Sequence, residues 1–123
     1  MQIVKKMLLS LLVALAMTVS FNVSAAEKTI KPAEAIEIAL AKVQVVIDAV
    51  KAGSSVDDVN KLIRDAMDAT GEIYSNYKTD KARDTAIIHL RAIRTKVKEG
   101  KTAEVEEALQ NALKEIDNLK SII

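Results

Sequence analysis

PAEAIEIALAKVQVVIDAVKAG, running from Pro32 to Gly53, is the stretch whose reading decides the fold. Ile36, Leu40, Val43, Ile47 and Val50 recur in it at spacings of four, three, four and three. At about 100° per residue these five side chains form one stripe along an α-helix, the pattern of a helix that packs in a bundle. Pro32 suits the first helical position, Glu34 lies where the helix dipole favours an anion, and Gly53 suits a left-handed stop. The spacing predicts a helix over 32–52.

Working outward, three more segments carry the same pattern, and each needs the others to bury its own stripe. After Gly53, either Ser54 or Ser55 can cap a second helix with an Asp three residues on. Its stripe is Val59, Ile63, Ala66, Thr70, Ile73 and Tyr77, which predicts a helix over 56–77. Gly71 falls inside that range and reads as a point of close contact, because the stripe stays in phase beyond it. Thr79 or Asp80 can cap a third helix over 80–99, with Ala86, Leu90, Ile93 and Val97 as its apolar face. Thr102 can cap a fourth over 102–121, with Val105, Leu109, Ala112, Ile116, Leu119 and Ile123. Four helices of similar length joined by short loops imply an all-α, up-down-up-down four-helix bundle.

The chain also repeats itself. At an offset of 47, Ala35, Ala39, Val50, Lys51 and Gly53 match Ala82, Ala86, Val97, Lys98 and Gly100. After a one-residue slip, Val59, Ala66 and Ile73 fall on Val105, Ala112 and Leu119, as in two copies of one helical hairpin.

The first residues read as a leader and not as part of this fold. Lys5 and Lys6 precede an uncharged run from Met7 to Val23, followed by Ser24, Ala25 and Ala26. A basic start, a short apolar core and small residues at the end make a secretory signal peptide over 1–26, cleaved after Ala25 or Ala26. The leader is of bacterial type, so the expected compartment is the periplasm or the exterior. About 97 residues would remain, enough for one small domain. The chain contains no Cys, so disulfides are not used there.

Composition narrows the function. Of 18 basic residues two lie in the leader, which leaves 16 against 17 acidic ones, and such a balance argues against nucleic acid. Charge is unevenly distributed, however. Lys78 to Lys101 holds eight bases and three acids, whereas Asp57 to Glu72 and Glu104 to Asp117 are each acid-rich. Opposite signs are then expected to meet where helix three lies beside helices two and four, penalising other topologies.

No nucleophile triad, phosphate loop or Glu-x-x-His di-iron motif is present, so no catalytic residue is assigned and an enzyme is not expected. His89 is the single histidine, and its own helix supplies no second ligand at Thr85, Ala86, Ala92 or Ile93. It reads as a partly buried residue at the bundle seam. Asp65, Asp68 and Glu72 share one face of helix two; with His89 they are the candidate ligands for a weakly held divalent cation. Helix one has apolar residues on a second face, where Ile38 and Val45 project with Ala41, Ala49 and Ala52. That face suggests a homodimer or a helical partner.

A leader followed by two similar hairpins, with EAIEIA in helix one and IIHLRAIRTKVKEG leading into helix four, resembles the small periplasmic metal-binding protein family. The resemblance covers most of the chain after the leader and implies a helical bundle binding divalent metals such as copper through histidines. Only His89 keeps such a residue; Ile38, Ala108 and Glu115 stand where the family would place others. The fold therefore carries over and tight metal binding does not. AVKAGSSVDDV and KEGKTAEVEEAL are more loosely similar to soluble b-type cytochromes of the four-helix class. That likeness would imply haem held by a Met in helix one and a His late in helix four. Glu34 to Ile38 and Leu119 to Ile123 contain neither, and Met67 and His89 do not replace them, so no haem is expected.

Overall fold

A computed structural model describes residues 30–123. The leader expectation lies outside the described residues. Four α-helices follow in order: α1 (Pro32–Lys51), α2 (Val56–Gly71), α3 (Tyr77–Lys98) and α4 (Thr102–Asn118), the last continued by a 3₁₀ turn over Leu119–Ser121. Each packs on its neighbours in sequence, and α4 returns to pack on α1, closing an up-down-up-down four-helix bundle. Among the described residues no helix is long and apolar enough to cross a membrane.

The first helix of each hairpin stops in the same way. Gly53 takes φ +76° and Gly100 φ +75°, a left-handed backbone that suits glycine. In the first stop, Ser54 N–H donates to Ala49 O and Gly53 N–H to Val50 O; in the second, Lys101 N–H donates to Lys96 O and Gly100 N–H to Val97 O. Both are Schellman motifs, which satisfy carbonyls that the helix end leaves free.

The other ends depart from the sequence reading. α2 ends at Gly71, six residues short of Tyr77. A side chain added at Gly71 would meet nothing within 4 Å, so the glycine marks no close contact. Ile73 nevertheless stays fully buried from the loop, whereas Tyr77 is exposed. The stripe continues in phase, but the backbone beneath it is no longer helical. α3 accordingly begins at Tyr77, with Asn76 as its cap: the Asn76 side chain accepts from Thr79 N–H at 2.9 Å, and neither Thr79 nor Asp80 caps. Ser55 caps α2, accepting from Asp58 N–H at 3.2 Å. Thr102 does not cap α4, because the Schellman turn already occupies Gly100 and Lys101 and Thr102 is itself helical.

The core is aliphatic. Val59, Ile63, Ala66 and Thr70 of α2, Ala86, Leu90, Ile93 and Val97 of α3, and Val105, Leu109, Ala112 and Ile116 of α4 are buried where the stripes put them. Leu119 is buried from the 3₁₀ turn, whereas Ile123 is exposed. Thr70 satisfies its hydroxyl within its own helix by donating to Ala66 O at 2.7 Å. In α1 the buried arc differs. Ala35, Ile36, Ala39, Val43, Val46 and Ile47 are buried, whereas Leu40 and Val50 are half-buried. At about 100° per residue the inward face is turned roughly 40° towards Ala39 from the expected stripe. α1 contacts both α2 and α4, and the small Ala35 and Ala39 let a helix approach closely on that flank.

This rotation corrects the reading of the second apolar face. Ile38 and Val45 flank the buried arc and are half-buried, so α1 contributes none of the large apolar side chains exposed in the described bundle. The charge bands give a similar correction. Among the described residues, two ion pairs join different helical segments: His89 with Glu115, and Lys120 with Glu37. No ion pair links the acidic α2 to the basic α3. Exposed pairs contribute ~0–1 kcal/mol each and must offset side-chain entropy, so long charged side chains can stay solvated instead.

Candidate functional site

The four candidate metal ligands do not converge. Asp65 and Asp68 are exposed on α2 and Glu72 lies just past its end. His89 sits on α3, turned to α4. Among the described residues, no three His, Asp or Glu side chains are grouped so as to hold a metal ion.

His89 is not seated in the seam. Its side chain is 52% exposed, and Nδ1 lies 2.7 and 2.9 Å from the two carboxylate oxygens of Glu115. A search for partners at helical spacing on α3 could not find this carboxylate, because α4 supplies it from 26 residues away. The pair stands at one side of a surface groove of about 270 Å³ between α3 and α4, with Ala92, Ile93, Lys96, Ala108 and Asn111 completing the walls. Ala108 and Glu115 therefore meet His89 in one groove. Ile38 is not part of it. One imidazole and one carboxylate make two donors, fewer than the three or four of a protein zinc site. No Ser, Thr, Cys or Tyr lines the groove.

The two ends of the bundle are built differently. At the end holding the α2–α3 loop, Asn76 Nδ2 donates to Ile122 O at 2.6 Å and the buried Thr79 hydroxyl donates to the same oxygen at 3.0 Å. Arg83, with 12% of its side chain exposed, donates from Nη1 to Ile73 O at 2.9 Å and pairs with Asp80 and Asp84. Its guanidinium lies 5.0 Å from the centre of the Tyr74 ring. Loop, helix start and C-terminal turn are thus fastened together.

At the opposite end the two glycine-stopped connections flank an open recess of about 280 Å³. Val50, Gly53, Ser54, Val56 and Val59 line one half, and Val97, Gly100, Lys101, Thr102 and Val105 the other. The two halves correspond in sequence, the first three of each at the offset of 47 and the last two after the slip. Lys101 Nζ is 3.0 Å from Glu99 and 3.9 Å from Glu104, and the hydrogen bond it donates to Glu99 holds the ammonium pKa above its usual value. Val50, Val59, Val97 and Val105 lie on the expected stripes and the glycines follow the expected helix ends; the recess they leave depends on how far apart the connections stand, which periodicity does not encode.

No protein-family model matches the chain, no curated protein matches it, and no solved structure matches it.

Proposed function

We propose that this chain is an exported, non-enzymatic binding protein of the periplasmic helical-bundle kind, with at most a weak divalent-metal contact. The meeting of His89, Ala108 and Glu115 in one groove supports the reading. It is the arrangement expected of a metal-binding bundle that has lost all but one histidine. With two donors the contact is weak, and Glu115 contributes to it more than the dispersed Asp65, Asp68 and Glu72.

Zinc titration followed by backbone and imidazole NMR tests this. The expected result is fast-exchange binding with a Kd on the order of 0.1 mM or weaker, centred on His89 and Glu115 and lost in His89→Ala or Glu115→Gln. Submicromolar affinity, or a response centred on Asp65 and Asp68, would overturn the assignment.

A second reading is an interaction protein. It is supported by the partial exposure that Ile38 and Val45 keep beside the exposed Ala41 and Ala52, a surface on which a second copy or a helical partner could seat. Sedimentation of the wild type against Ile38→Lys/Val45→Glu decides it. A dimer dissociated by the double substitution is the supporting result, and a monomer at every concentration is the refuting one.

A further inference from the structure

The open recess at the glycine-stopped end is unused by the groove on α3 and α4. Its walls are the side chains of Val50, Val56, Val59, Val97 and Val105, so all four helices contribute. Val59 and Val105 are buried at its base, while Val56 remains 45% exposed at the rim. A side chain added at Gly53 or Gly100, both of which line the recess, would meet nothing within 4 Å. The opposite end, by contrast, is fastened by Asn76, Thr79 and Arg83.

We propose that this recess binds a small, neutral aliphatic molecule with a single hydrogen-bonding head, the size of a medium-chain alcohol. The inference rests on the reading of the chain as a ligand-binding bundle and names a ligand class and a place for it. The recess is open to solvent and has a volume of about 280 Å³, which admits a short aliphatic chain. Shape comes from the lining, which is branched aliphatic and contains no aromatic plate for a flat ring. The head group follows from the rim. Ser54 and Thr102 place exposed hydroxyls at the rim, where they can bond a ligand hydroxyl. Lys101 is engaged by Glu99 and Glu104, and Asp57 and Asp58 occupy the first turn of α2 beside Val56. The rim therefore has no unpaired cation to receive an anionic head. Apolar walls with a few polar groups at the mouth are the usual composition of a small-molecule site.

The probe is 1-octanol, titrated into the full protein labelled at its valine, leucine and isoleucine methyl groups. Saturable shifts are expected at Val50, Val59, Val97 and Val105, with Ile36 and Leu119 unmoved and a Kd on the order of 1 mM or tighter. Val56→Lys, at an exposed position that folding tolerates, should weaken binding by about tenfold, and Val59→Phe should abolish it by filling the recess. Octanoate should bind more weakly than octanol; equal affinity would overturn the neutral head. Absence of saturable valine shifts, or shifts unchanged in Val56→Lys, would overturn the site itself. Zinc added to the same samples separates this inference from the reading beneath it. A response at His89 and Glu115 with silent valines refutes the recess and leaves the binding protein standing, whereas silence towards both probes refutes both.

Discussion

Replacing Asn76 should show how much of the bundle's stability is held in the fastening of its closed end. The side chain acts in two directions. Its Oδ1 accepts from Thr79 N–H at 2.9 Å, capping α3. Its Nδ2 donates to Ile122 O at 2.6 Å, binding the α2–α3 loop to the C-terminal turn. Loss of an N-cap costs about 1 kcal/mol, and loss of a net hydrogen bond about another 1 kcal/mol. Asn76→Ala should therefore destabilise by about 2 kcal/mol, lowering Tm by roughly 10 °C in a domain of this size. Asn76→Asp keeps the acceptor and loses the donor. It also sets a carboxylate near the Ile122 carbonyl, partly offset by its favourable position at the helix N-terminus, so it should cost about 1 kcal/mol. Urea unfolding followed by far-UV circular dichroism measures both. An alanine variant within ~0.5 kcal/mol of wild type, or an aspartate variant as damaged as the alanine one, would refute the two-way role.

Two further comparisons test the fold by the sign of the effect. Gly53→Ala and Gly100→Ala should each destabilise by ~1–2 kcal/mol because the backbone there is left-handed, whereas Gly71→Ala, in open helical surroundings, should stabilise by up to ~1 kcal/mol; thermal melts of the three variants check this. Ala39→Leu should cost ~1–3 kcal/mol by overpacking the face that α1 turns inward, and Leu40→Ala, at its half-buried edge, should stay below the 2–5 kcal/mol of a core truncation. Equal costs in denaturant melts would restore the stripe that includes Leu40.

The topology and most of the core were legible because both follow from period and loop length. On α2, α3 and α4 every apolar residue placed inward by spacing is buried, apart from Tyr77 and Ile123 at the ends of their stripes. Errors arose where two local signals competed. Ile73 continues the α2 stripe, yet the helix has already ended, since one buried side chain can be supplied from a loop as well as from a helical turn. Thr79 has the chemistry of a cap and is instead the residue being capped, three positions inside the helix. On α1, apolar residues surround so much of the circumference that spacing alone could not say which arc faces inward. The site was less legible than the fold for a different reason. His89 and Glu115 are partners across a helix interface, and the recess belongs to four helices at once; neither juxtaposition has a spacing in the sequence.

Native mass spectrometry of the protein recovered from the cell-envelope fraction, without chelator, tests the central claim most directly. An exported binding bundle with a two-donor metal contact should appear as a chain beginning at Ala26 or Glu27 and carrying no stoichiometric transition metal. A chain that retains Met1 on membranes would contradict export, and one equivalent of copper or zinc that disappears in His89→Ala would contradict the weak contact.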